Sequence, residues 1–343
     1  MTANTLAFPG AQWERVAPAD AGMDPAKLDE AKQRLVRDAE GSGDSRYRVV
    51  IVRGGRLVAE WNSGVRSEEQ LRMASATKSI FSSVLGIAIE DGRIESADSR
   101  LIDYYPEAMD VPEGTGPKPG RHVFPKNRDT TLRQLISNTS GYMKPGEEPG
   151  RVFHYQSFGM NVLIHATAKA YGLYDPSKPD ESGYTRLIDD WLRGPIGATW
   201  GYYVMNFEHG PEARTNIFGY YDGVASTALD MARLGLLWLN WGRWEHTQVI
   251  PEAWLREATR TALNIVENCP REQWRYGYGF WTNDYGEDSA NLPRDSYAAV
   301  GAGYQHIWVC PSLDLVVVQS PGLWASQEAK DSVLLEAIAE ACA

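Results

Sequence analysis

The sequence predicts an α+β protein: an antiparallel sheet built from both chain ends and flanked by helices, plus a mostly helical second lobe. Three observations predict it. Two β-rich runs, Tyr47–Arg53 and Arg56–Asn62, are separated by Gly54-Gly55, which is hairpin chemistry. Three more short β runs, Ser296–Val300, Gln305–Cys310 and Leu313–Gln319, come near the end, with Pro311-Ser312 turn chemistry between the last two. Between these groups strand patterns are scarce and helical ones dominate. The expected division is 1–93 with 294–343 as the sheet region and 94–293 as the mostly helical region. A ligand site is expected in the cleft between them.

The helices follow from apolar spacing. Pro25–Ala39 is amphipathic. Ala76–Glu90 carries Ile80, Val84 and Ile87 at helical spacing, with Phe81 and Ala88 beside them, and Asp91-Gly92 stops it. Leu132–Ile136, Asn161–Ala170, Arg186–Leu192 and Thr227–Trp241 are the helical patterns of the middle region. Pro- and Gly-rich loops, such as Val111–Pro125 and Lys144–Gly150, separate them. A terminal helix is expected over Gln327–Ala341.

Bulk composition narrows the function classes. The chain has 343 residues, 43% hydrophobic and 23% charged, the range of an ordinary globular protein. No stretch approaches the ~18–20 uncharged apolar residues of a membrane helix, so no membrane partner is expected. Met1–Pro9 has neither a basic n-region nor an apolar h-region, which makes a cytoplasmic location the expectation. The formal net charge of −11 disfavours nucleic acid. The three cysteines, Cys269, Cys310 and Cys342, are odd in number and widely spaced, which speaks against a disulfide framework and against zinc. With six scattered histidines and no His-Glu-x-x-His, no catalytic metal is expected. No dinucleotide or phosphate loop is present, and no cofactor is expected. There is no Gly-x-Ser-x-Gly elbow either.

The one nucleophile pattern is Ser75-Ala76-Thr77-Lys78, the only Ser-x-x-Lys in the chain. It opens the Ala76–Glu90 helix, so Ser75 and Lys78 share a helix face. The helix start offers free N–H groups and partial positive charge to a developing oxyanion. A serine hydroxyl needs a neighbouring base, and a desolvated lysine can be one. The string alone is unspecific, with on the order of one chance match in a chain this long; a serine cap followed by a solvated lysine would look the same.

Other segments resolve that ambiguity by resemblance. Thr131-Leu-Arg-Gln-Leu-Ile-Ser-Asn-Thr-Ser-Gly-Tyr142, Gly223-Val-Ala-Ser-Thr-Ala-Leu-Asp-Met-Ala-Arg-Leu-Gly-Leu-Leu237 and Gln248-Val-Ile-Pro-Glu-Ala-Trp254 are similar to segments of the penicillin-recognising serine hydrolases. These include serine β-lactamases, D,D-peptidases and their esterase and amidase relatives, and Ser-x-x-Lys is their signature. The resemblance runs from about residue 45 to 320. It implies that Tyr155, in the only Tyr-x-Ser or Tyr-x-Asn of the chain, faces Ser75 and Lys78 as phenolate or as phenol in a proton relay. It implies that Ser157 bonds Lys78 or the substrate, while His154 is structural. It places Ala299-Val300-Gly301 on the family's Lys-Thr-Gly, so the N–H of Ala302 would join that of Ser75 as the oxyanion hole. A slip of one or two residues would move that role to Gly303 or Tyr304. Gly301 and Gly303 are candidate substrate contacts. Tyr142, Trp324 and the rings of Tyr276-Gly-Tyr-Gly-Phe-Trp281 are candidate pocket residues.

The third motif lacks its cation. In β-lactamases and D,D-peptidases that lysine helps to hold a substrate carboxylate. The expectation is therefore a serine hydrolase of small carboxylic esters or amides, most like the esterase and aminohexanoate-dimer (nylon-oligomer) hydrolase branches. A β-lactamase or D,D-peptidase is the alternative enzyme. A non-catalytic ligand-binding relative is the alternative of another class.

Overall fold

The structure, a computed structural model, describes residues 6–42, 45–178, 183–205, 209–219, 221–322 and 329–342. Helix α1 (Pro25–Ser42) precedes strands β1 (Tyr47–Arg53) and β2 (Arg56–Ser63). After β3 (Leu71–Arg72), a single 3-10 turn, Ala74–Ala76, leads into helix α2 (Thr77–Glu90). The middle of the chain holds helices Leu132–Ile136, Phe158–Ala170, Tyr184–Ile188 and Ala228–Leu239 with shorter turns between them. It also holds β4 (Gly201–Met205), β5 (Tyr221–Ser226) and the β6 (Arg243–Trp244) and β7 (Thr247–Gln248) hairpin. Strands β8 (Trp281–Thr282), β9 (Tyr297–Gly301), β10 (Gln305–Cys310) and β11 (Leu315–Gln319) precede the terminal helix Ala329–Glu340.

The main sheet has the order β2-β1-β11-β10-β9-β8, and every neighbouring pair is antiparallel. Both chain ends therefore build it, as the sequence predicts. Strand β1 explains its own composition. Val50 and Val52 face a core that includes Ile80, Phe81 and Val84 of α2. Val49 and Ile51 face the opposite core, with Leu28 and Leu35 of α1 and Leu335 and Ile338 of the terminal helix. All four valine and isoleucine side chains are fully buried. A strand covered on both faces carries an uninterrupted apolar run rather than an alternating one.

Helix α2 is buried over almost its whole length. Ile80, Phe81, Val84 and Leu85 each contribute about 1.5–3 kcal/mol by leaving water. Its interior serines are satisfied: Ser79 Oγ donates to the Gly279 carbonyl at 2.6 Å, and Trp238 Nε1 donates to Ser83 Oγ at 3.1 Å. These bonds fix the helix rotation, and so the face that Ser75 and Lys78 share.

The middle region carries more strand than its sequence reading: β6 and β7 form a hairpin, β8 joins the edge of the main sheet, and β4 and β5 join β3 in a second sheet, β3-β5-β4. Met73 N donates to the Val224 carbonyl at 2.8 Å, so this sheet anchors the turn that carries Ser75. Among the described residues, no helix is long and apolar enough to cross a membrane.

Candidate active site

The segment before α2 is under backbone strain. Ala74 has φ = 49°, a left-handed value that costs a non-glycine residue on the order of 1 kcal/mol or more. The surroundings hold it there: Ala74 N donates to the Tyr203 hydroxyl of β4 at 3.0 Å. A Cβ on Gly223 would lie 2.3 Å from the Tyr203 ring, so only glycine on β5 leaves room for that ring. Sequence reasoning missed Tyr203, because its role depends on a strand pairing without a strong local pattern.

Ser75 is half-buried, and Lys78 is 1% exposed. Lys78 Nζ donates to Ser75 Oγ at 2.8 Å and to Ser157 Oγ at 3.4 Å. Burial lowers the Lys78 pKa from 10.5 to about 7, because water no longer stabilises the ammonium. The Tyr155 hydroxyl is hydrogen-bonded to Ser75. Burial pushes its pKa up to about 12, against the lowering effect of that bond. Lys78 Nζ also lies 4.8 Å from the Tyr155 ring centre. The structure thus brings Ser75, Lys78, Tyr155 and Ser157 together. Of the two titratable groups, the amine is the one that can be neutral near pH 7, and the phenol keeps its proton.

Gly301 packs against the same turn. A Cβ there would lie 2.1 Å from the Met73 carbonyl oxygen and 3.1 Å from Ser75 N. Its neighbour β8 pairs only with Tyr297 and Ala298, so the outer edge of Ala299–Gly301 is left to the Met73–Ala76 turn. Ala302, Gly303 and Tyr304 then turn the chain into β10, where Gln305 pairs with Gly301. Gly303 and Tyr304 take φ = 79° and 53°. Ala302 is exposed at the end of β9.

The aromatic wall comes from the Tyr276–Trp281 segment. Trp281 lies 5.6 Å from Tyr155, ring centre to ring centre, and Tyr276 meets both edge-on at 5.7 and 5.2 Å. Tyr276, Tyr278 and Phe280 are themselves buried, and Trp281 is the partly exposed ring of the segment. Tyr142, expected beside the pocket, is a core residue with 0% exposure. Its hydroxyl donates to the Ala108 carbonyl at 2.6 Å, which satisfies it away from the cleft. Trp324 lies outside the described residues. His154 is exposed, with Nδ1 2.8 Å from Glu147 Oε1. Among the described residues, no group of three or more His, Cys, Asp and Glu could hold a metal ion.

A serine, lysine and tyrosine cluster beside an antiparallel sheet is the arrangement a serine hydrolase of this kind would use. The comparisons with known proteins then give the family. The profile of the Beta-lactamase family matches residues 33–320, and the chain belongs to that family of serine hydrolases. The 6-aminohexanoate-dimer hydrolase of Paenarthrobacter ureafaciens is 21% identical over 304 residues, covering 79% of this chain and 71% of that one. A penicillin-binding protein homologue from Caulobacter crescentus superposes with a TM-score of 0.65 at 13% identity, covering 93% and 98% of the two chains. EstCE1, a hydrolase with promiscuous acyltransferase activity, superposes with a TM-score of 0.64 at 14% identity, covering 92% and 98%. At these identities the superpositions show a shared fold.

Proposed function

We propose that the chain hydrolyses a carboxylic ester or small amide through an acyl-serine intermediate on Ser75. The observation that carries this reading is the 2.8 Å contact between Ser75 Oγ and a lysine whose pKa burial lowers to about 7. Neutral Lys78 takes the proton of Ser75 as Oγ attacks the substrate carbonyl. The N–H groups of Ser75 and Ala302 hold the oxyanion. Tyr155 passes its phenolic proton to the departing alcohol or amine and regains one from the Lys78 ammonium. Water then attacks the acyl ester, giving its proton back along the same route, and the carboxylic acid leaves. Ser157 steadies Lys78 throughout. Tyr155 serves as phenol rather than phenolate, because burial holds its proton at neutral pH.

Two features favour simple esters and amides over penicillins. The position before Val300 and Gly301 is Ala299, so the cation of the third motif is missing. The relative that matches 79% of this chain is a 6-aminohexanoate-dimer hydrolase. The test offers the purified protein a short p-nitrophenyl ester, a chromogenic cephalosporin and a linear amide dimer, alongside Ser75→Ala. Ester or amide turnover that Ser75→Ala abolishes is the expected result. Cephalosporin turnover dominating would favour the β-lactamase reading. Silence on all three would favour a ligand-binding relative.

A further inference from the structure

Gly301, Ala302 and Gly303 also line a cavity of about 380 Å³. Trp281 belongs to both spaces, since it lies against Tyr155 and also lines this cavity. Trp308, Leu292, Val300 and Leu335 make most of the remaining wall apolar. Arg275 also lines it, with its guanidinium carbon 5.7 Å from the Trp281 ring centre. Among the described residues, that half-buried guanidinium has no hydrogen-bond or ion-pair partner. His306, on the same wall, is held neutral, because burial lowers its pKa to about 4. Among the described lining residues, Arg275 therefore supplies the positive charge, and the one acid, Asp288, is exposed at the rim.

A guanidinium beside an indole, in the wall of an aromatic and aliphatic cavity and without a described ionic partner, suits a planar anion on an apolar arm. The guanidinium fork matches a carboxylate with two parallel hydrogen bonds. The indole face supports the arginine through cation–π attraction. Gly301, Ala302 and Gly303 line the cavity, so it borders the proposed oxyanion backbone.

We propose that this cavity receives the acyl arm of the substrate and that Arg275 binds a carboxylate on that arm. The preferred substrates are then monoesters or monoamides of dicarboxylic acids. This inference rests on the hydrolase reading above. It also revises one expectation: the missing third-motif lysine removes one carboxylate site, and Arg275 supplies another at a different place in the wall.

The test compares p-nitrophenyl monoesters of glutaric, adipic and pimelic acids with the neutral p-nitrophenyl ester of hexanoic acid. At least one monoester should exceed the neutral ester about tenfold in kcat/KM, as expected for a charge-assisted pair. In Arg275→Gln that ratio should fall to about one, and Arg275→Lys should keep part of it. A wild-type ratio of one or below, or a ratio unchanged in Arg275→Gln, would overturn the proposal. The wild-type ratio decides the matter even if the variants fold poorly. Hydrolysis through Ser75 with no preference sinks the Arg275 site alone. Absence of any Ser75-dependent hydrolysis sinks the hydrolase reading, and this inference with it.

Discussion

Lys78→Met keeps an unbranched apolar stem out to Cε and removes the amine. In the native protein, burial lowers the Lys78 pKa from 10.5 to about 7. At about 1.4 kcal/mol per tenfold change in proton affinity, this costs on the order of 4 kcal/mol of stability at pH 7. Methionine has no such cost in the same pocket. Against that, Ser75 and Ser157 each lose a hydrogen-bond partner, about 1 kcal/mol apiece. Lys78→Met should therefore be inactive and yet more stable than the native protein by about 2 kcal/mol at pH 7. The sign of the pH dependence follows from the lowered pKa. Between about pH 7 and 10.5 the unfolded chain binds more protons at this lysine than the folded one does, so native stability rises with pH. The variant lacks that rise, and its advantage should vanish by about pH 10. Urea midpoints followed by tryptophan fluorescence from pH 6 to 10 measure both effects. A variant that is less stable at pH 7, with a pH profile parallel to the native one, would refute the desolvated-amine argument.

The remaining predictions concern the same cluster. If neutral Lys78 is the base, kcat/KM for an ester should rise through about pH 7 and level off above it; a rise that continues towards pH 12 would transfer the role to Tyr155. Tyr155→Phe should lower kcat by about 10²–10⁴ while leaving the unfolding midpoint close to native. Gly301→Ala places a methyl 2.1 Å from the Met73 carbonyl oxygen. It should destabilise the protein by about 1–3 kcal/mol and remove most activity, as read by unfolding and ester assays on one preparation.

Much of this architecture is legible in the chain because its elements carry strong local patterns. The continuous Val49–Val52 run reads as strand, and Ile80, Val84 and Ile87 read as helix. What escaped has long-range causes. β3 has two residues, and β5 is largely small residues around Gly223, so neither shows a period, and the second sheet was not foreseen. Tyr203 enters only through that sheet's pairing. Tyr142 is attached to a family-like segment, yet its hydroxyl finds a backbone partner in the core, a contact that spacing does not encode. The 3-10 turn before α2 is similar: Ala74 takes a left-handed conformation because Tyr203 and Val224 grip the turn, not because alanine prefers it.

The most direct test of the account is whether Ser75 forms a covalent adduct. Treatment with a fluorophosphonate, followed by intact mass measurement and peptide mapping, should show one addition on the peptide that contains Ser75. Ser75→Ala should show none, and labelling in Lys78→Met should be slowed by orders of magnitude. Label on another residue, or an unlabelled Ser75 in folded protein, would contradict the account.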